Sequence, residues 1–336
     1  MSPSQRTQLP RFRQKIAERR PRHALSARIE AVTRNILVIS HTARPEAIAA
    51  TDAVCAQLAK SNITLVMSAE NQEEFAPHLA GVRILTLGVD IPVSDIEVAV
   101  VLGGDGTILK AAELLRGSDC AIVGVNLGHV GFLAESEAYD LQNTVDRVLA
   151  RDYSVEERLT LSVKVFKDEK VIYETFALNE ATIEKAERER MLELVLGVDG
   201  KPLSTFGADG VVMATPTGST AYSFSAGGPI VWPGVEALLM VPLSAHALFN
   251  RPLVVDPSST LEVELTHNNI GVGVLWCDGR RHFDVPMGGS VEVTKSDIPV
   301  RLARLETAPF TDRLVNKFHL PVQGWRGHQV KPSDKK

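Results

Sequence analysis

Cysteine is scarce in this 336-residue chain. The three present, Cys55, Cys120 and Cys277, are too few and too scattered for a disulfide framework or a metal knuckle, which suits a reducing compartment and predicts a cytoplasmic protein. The nine histidines form no zinc-ligand spacing with Cys or Glu, and His-Glu-x-x-His is absent. Positive charge is not in excess: the net charge is −5 at pH 7, so no electrostatic footprint for nucleic acid exists. No apolar run is long and clean enough for a membrane span. The most apolar stretch, residues 227–248, carries Pro229, Pro233, Glu236 and Pro242 and reads as packed core with turns. Two common nucleotide-binding signatures are missing as well. The only Gly-Lys pair, Gly200-Lys201, has Val195 where a Walker loop needs its first glycine and Pro202 after it, and the third glycine of a dinucleotide fingerprint would fall on Leu109.

What is present divides along the chain. With 44% hydrophobic residues there is ample core material, and the length favours two domains. Residues 1–34 hold nine Arg or Lys against two Glu and read as a basic extension, with an organellar transit peptide as the alternative; no hydrophobic stretch follows to make a secretory signal. Over residues 35–158, short continuous apolar runs ("NILVIS", "ITLVMS", "VRILTLG", "VAVVLGG", "AIVGVNLG") alternate with amphipathic segments. That pattern predicts an α/β domain with a parallel sheet covered on both faces. Over 159–306 the period becomes two, as in "LSVKVF", "LELVLGV" and "LEVEL", with Asp199-Gly200 and Asp278-Gly279 at hairpin positions. This predicts a mostly antiparallel β-sandwich. Residues 307–336 include the helical "TDRLVNKFHL", expected to pack back on the first domain.

The segment "LGGDGT" follows a strand and opens a helix, which places it at the carboxyl end of a parallel strand, where open α/β sheets bind ligands. Gly103, Gly104 and Gly106 would permit positive φ and close ligand approach, and with Thr107 at the helix start the backbone amides would attract phosphate. A carboxylate in such a loop needs a reason. Asp105 is either a cap for the following helix or a functional acid, as general base or as partner of a phosphate-bound cation.

"GGDGT" (103–107) resembles the signature shared by NAD kinases, diacylglycerol and sphingosine kinases and, with Ser for Thr, phosphofructokinases. "ALNEATI" (177–183) and "GADGVVMATPTGSTAYSFSAGGPIV" (207–231) resemble NAD kinases of the ATP- or polyphosphate-dependent bacterial type, over about residues 35–325. A lipid kinase is the runner-up within this superfamily, and a non-catalytic dinucleotide-binding protein the rival outside it. The NAD kinase resemblance implies Mg-dependent phosphoryl transfer from ATP, or inorganic polyphosphate, to the 2′-hydroxyl of the adenosine ribose of NAD, with Asp105 as proton acceptor. It implies NAD contacts from Asp105, Gly106, Lys110, Asn179, Glu180, Arg190, Asp209 and the stretch Thr220, Ala221, Tyr222, Ser223, Phe224 and Ser225. It also implies a homodimer or homotetramer.

The bland readings of these residues stand beside that. Asn179-Glu180 and Asp209-Gly210 could be turns, and Arg190 part of a solvated charged face. In "VGVNLGHVGFLAE" (123–135), Asn126, Gly128 and Gly131 either line the cleft opposite Asp105 or serve strand–loop packing. Arg280 stands where bacterial relatives commonly have Gln, which leaves its role open, and His282 reads as an exposed hairpin residue.

Overall fold

The continuous apolar runs form the centre of a parallel sheet: β1 (Asn35–Ser40), β2 (Thr64–Met67), β3 (Ile84–Thr86), β4 (Val98–Leu102) and β5 (Ala121–Asn126), in the spatial order β3-β2-β1-β4-β5. They come from a computed structural model that describes residues 34–41, 44–79, 81–128, 131–134, 136–137, 140–186, 190–247, 250–267, 272–305 and 309–322. The basic extension expected over 1–34 lies outside these residues apart from Arg34. Every residue of β4 and β5 is buried, because helices cover both faces. Alternate strand residues feed two cores. Ile36, Val38, Val98 and Val100 pack with Val54 and Leu58 of α1 (Pro45–Lys60) and with Val145 and Val148 of α4 (Leu141–Ala150). Leu37, Ile39, Ala99 and Val101 pack with Ile108, Ala111 and Ala112 of α3 (Asp105–Leu114). The short α2 (Ala69–Phe75) lies between β2 and β3 in sequence.

The alternating segments form two six-stranded antiparallel sheets. One follows the order β15-β14-β13-β10-β17-β18: β10 is Glu180–Lys185, β13 Gly210–Ala214, β14 Leu238–Leu243, β15 Leu253–Val255, β17 Gly273–Cys277 and β18 Arg281–Val285. The other is β12-β11-β16-β19-β8-β9: β8 is Leu161–Lys167, β9 Lys170–Ala177, β11 Leu192–Val198, β12 Lys201–Ala208, β16 Leu261–Leu265 and β19 Ser290–Lys295. Inward residues of both, among them Val163, Leu194, Val263 and Val291 against Ile183, Met213, Met240 and Leu275, share one apolar core. Both Asp-Gly pairs make hairpin turns in the left-handed region: Asp199 and Gly200 at φ 54° and 71°, Asp278 and Gly279 at φ 55° and 62°. β13 and most of β14 are buried without alternation, since helix α5 (Tyr222–Ser225) and its flanking loops cover their outer face.

The first sheet gains a further partner, and two later elements tie the halves together. The two-residue β6 (Ser136–Glu137) pairs with β5. After the sandwich, β20 (Val300–Arg304) returns to the first sheet, parallel to β5 and antiparallel to β7 (Ser154–Arg158). The helical tail is α6 (Phe310–Phe318). Its Phe310 and Phe318 rings lie 5.9 and 5.8 Å from Phe132, on the loop after β5, while Phe318 also lies tilted 4.6 Å from Phe224 and Phe310 lies 5.2 Å from Trp232. Among the described residues no helix is long and apolar enough to cross a membrane.

Candidate active site

The sheet order reverses between β1 and β4, and a crevice opens at the carboxyl ends of these neighbours, as such a switch point requires. This cleft, about 510 Å³, is lined on one side by Ser40, His41, Arg44 and Ala47 and on the other by Gly103, Gly104, Gly106, Thr107 and Lys110, with Glu70, Leu127 and Arg280 completing the wall. The glycines are needed for space rather than for positive φ, which none of the three adopts. A Cβ on Gly104 or Gly106 would meet no protein atom within 4 Å and would project toward the cleft, whereas one on Gly103 would strike the Thr107 side chain. The positive-φ expectation is corrected accordingly: the loop enters α3 from an extended Gly104, φ −86° and ψ −174°.

The capping alternative for Asp105 is also corrected. Gly104 occupies the N-cap position, and Asp105 is already in the first helical turn. Its carboxylate turns to the loop after β5. Oδ2 accepts from the Phe132 amide and Oδ1 from the Leu133 amide, each at 3.1 Å. Gly131 is directly against that carboxylate, and a Cβ there would overlap it. Asn126 is buried and its Oδ1 accepts from the Gly128 amide at 3.1 Å, so the loop is braced from within. Residues 129, 130 and 135 of this segment lie outside the described residues.

A second cleft, about 410 Å³, is formed in the sandwich by Glu180, Thr182, Glu184, Tyr222, Trp276 and Gly279. Glu180 is buried, and its Oε2 has no hydrogen-bond partner among the described residues. Burial, reinforced by the charge of Asp278, pushes the Glu180 carboxyl up to about 8 against a partial offset from the Tyr222 amide. Asn179, also buried, precedes it in a turn fixed by Asp278. The Asp278 carboxylate accepts from the amides of Leu178 at 3.0 Å and Asn179 at 2.7 Å, and from Arg281 at 2.8 Å.

The turn that carries Asp278 is the shared wall of the two clefts: Gly279 borders the second and Arg280 the first. Glu113 of α3 holds it from below, accepting from Arg280 Nε at 3.1 Å, with Arg281 Nε at 3.7 Å. Arg281 and Arg116 each lie 4.0 Å over the Phe176 ring. Sequence reasoning missed this buried Asp278 as a site element. It reads as an ordinary Asp-Gly turn, and only its pairing with residues a hundred positions earlier shows its second task.

The other expected contacts are dispersed. Lys110 lines the first cleft but is paired with Glu70 at 2.6 Å. Arg190 is exposed just before β11, and residues 187–189 beside it lie outside the described ones. Asp209 pairs with Lys185, and this contact holds its carboxyl below the usual range. In the β10–β13 ladder Glu180 faces Ala214 and Glu184 faces Gly210, so Asp209 is at the opposite end from Glu180. Thr220 and Ala221 are half-buried and Ser225 exposed. Ser223 is fully buried within α5, and Phe224 packs against Phe318 of α6. His282 is exposed on β18 beside Trp276, as expected.

Among the described residues no cluster of three His, Cys, Asp or Glu side chains could hold a metal ion alone. A hard divalent cation ligated mainly by phosphates and water needs only one or two carboxylates. Glu70, which lines the cleft, fits that smaller demand.

A glycine loop at a sheet's switch point, facing an antiparallel double sheet that presents a second polar cleft, defines a nucleotide-binding protein of the phosphotransferase class. The family is then specific. Residues 36–153 match the ATP-NAD kinase N-terminal domain and residues 178–305 the ATP-NAD kinase C-terminal domain. The chain is 61% identical over 300 residues to the NAD kinase of Leifsonia xyli subsp. xyli, covering 88% of this chain and 98% of that one. It is 54% identical over 306 residues to the NAD kinase of Thermobifida fusca, covering 89% and 93%. Among solved structures, yeast NADH kinase complexed with NADH superposes with a TM-score of 0.77 at 26% identity, covering 88% of this chain and 89% of that one. The chain belongs to the ATP-NAD kinase family.

Proposed function

We propose that the chain transfers the terminal phosphoryl group of ATP to the 2′-hydroxyl of the adenosine ribose of NAD, giving NADP and ADP. In this reading residues 35–158 carry the donor cleft and residues 159–306 the nucleotide cleft. The observation that carries it is Asp105, in a phosphate-type loop yet turned from capping toward the wall between β4 and the loop after β5. Each Asp105 oxygen accepts one amide hydrogen bond, which fixes the carboxylate and leaves a lone pair on each for an acceptor hydroxyl. That hydroxyl gives its proton to Asp105 as its oxygen bonds to the terminal phosphorus and the bridging oxygen departs with ADP. Asn179 and Glu180 take the adenine edge and sugar hydroxyl, and Tyr222 stacks on the base; Gly106, Lys110, Arg190, Asp209, Thr220, Ala221, Ser223, Phe224 and Ser225 complete the nucleotide contacts.

The donor cleft supports phosphate recognition more than base recognition, since among the described residues histidine is the sole aromatic ring in its lining. Inorganic polyphosphate therefore fits as a second donor. Mg²⁺, held by the phosphates with Glu70 as the carboxylate in the cleft lining, would neutralise charge on the transferring group when bound. We extend the reading to a cytoplasmic homodimer or homotetramer, in which Asp209, remote from Glu180 along its ladder, serves the nucleotide across a subunit contact. The test offers purified full-length protein NAD, NADH and diacylglycerol with ATP and Mg²⁺. Phosphorylation of a nicotinamide nucleotide at the adenosine ribose is expected; failure to phosphorylate either nucleotide would overturn the reading.

A further inference from the structure

Arg280 reaches the donor cleft from the far side of the molecule's sequence, on the turn between β17 and β18. Its guanidinium is half-exposed, and among the described residues its one partner is Glu113, through Nε at 3.1 Å. A guanidinium has five N–H donors in a planar fork that matches phosphate oxygens, so the remaining donors have no acceptor among the described residues. Glu113 is on α3, eight residues after Asp105, or about 12 Å along the axis from the phosphate-binding end. The cleft lining holds three permanent cations, Arg44, Lys110 and Arg280, and one acid, Glu70, which Lys110 already engages.

Resting on the donor-site reading above, we propose that Arg280 is a donor-phosphate residue and that Glu113 is its competing counter-ion. In the empty cleft Glu113 holds Arg280 against α3. When a triphosphate enters, its oxygens take the free donors of the fork, and the Glu113 contact weakens in exchange. The two residues therefore act on donor affinity with opposite signs. A purely structural link between the turn and α3 would make both substitutions harmful in the same direction, and would act on NAD as much as on ATP.

The experiment titrates ATP and inorganic triphosphate into the full-length protein without NAD, and separately measures KM for ATP and for NAD. Arg280→Gln is expected to weaken both triphosphates about tenfold, the loss of one charge-assisted contact, with KM for NAD unchanged. Glu113→Gln is expected to tighten them about threefold. No change in triphosphate affinity on Arg280→Gln, or weakened binding on both substitutions, would overturn the proposal. Gly104→Val separates it from its premise, because Gly104 lines the cleft and a Cβ there meets no protein atom within 4 Å, so the added side chain competes with ligand first. If Gly104→Val leaves ATP binding intact, the donor-site reading falls and this proposal with it. If Gly104→Val abolishes ATP binding while Arg280→Gln does not alter it, only the role of Arg280 falls.

Discussion

Glu180 shows how one residue can link burial to ligand chemistry. A carboxyl pushed up to about 8 is mostly protonated at pH 7, against an ordinary value near 4.5. Between about 4.5 and 8 the folded protein then holds a proton that the unfolded chain has released, so stability from this group falls as pH rises through that window. If a sugar hydroxyl donates to Glu180, binding favours the ionised form and expels the proton. Calorimetry of NAD binding at pH 7, in two buffers of different ionisation enthalpy, should register release of about one proton. Glu180→Gln should abolish that release and flatten the fall in thermal stability between about pH 4.5 and 8. Unchanged proton release in the variant would place the titrating group elsewhere. The buried turn at Asp278 matters to the same residue, because it fixes the amides of Leu178 and Asn179 immediately before Glu180.

At the scale of elements, the loop after β5 is the support on which Asp105 depends. Gly131→Ala would push a methyl group into the Asp105 carboxylate and displace the Phe132 and Leu133 amides. Turnover should fall at least about tenfold while affinity for ATP stays within about twofold; steady-state kinetics with a nucleotide titration checks both, and full activity would contradict the role assigned to the loop. A second junction sets stability. Glu97, before β4, accepts from Arg34 at 2.6 and 2.8 Å and from Arg151 at 2.8 and 3.0 Å, while Arg34 also reaches the last carbonyls of α4. Burial alone would raise this carboxyl, but the two arginines outweigh it and hold it at about 2. Its contribution is therefore complete above about pH 4.5 and lost as pH falls toward 2. Glu97→Gln should cost about 1–3 kcal/mol in urea unfolding at pH 7, and the difference should shrink at pH 3. The strands at β1, β4 and β5 were legible because each is a continuous buried run ending in a turn. β20 was not, since "VRLAR" is short, carries two arginines, and gains its place only by pairing with strands far earlier in the chain.

For the molecule as a whole, the two clefts draw on stretches widely separated in the chain that only the fold unites. The motif residues were readable because glycine, hydroxyl and acidic side chains in those patterns have few structural uses. The wall they share was not, because Asp278, Arg280 and Glu113 acquire meaning only through contacts across a hundred residues or more of sequence. Helix α6 extends the linkage by packing Phe318 against both Phe132, whose amide holds Asp105, and Phe224, in the helix that begins at Tyr222. The central claim is that Asp105 accepts the proton of the NAD hydroxyl rather than shaping the loop. Asp105→Asn, assayed for NADP formation and titrated separately with NAD, tests it most directly. The account predicts turnover lower by about two to four orders of magnitude with NAD affinity largely kept. Turnover near that of the parent protein would contradict it.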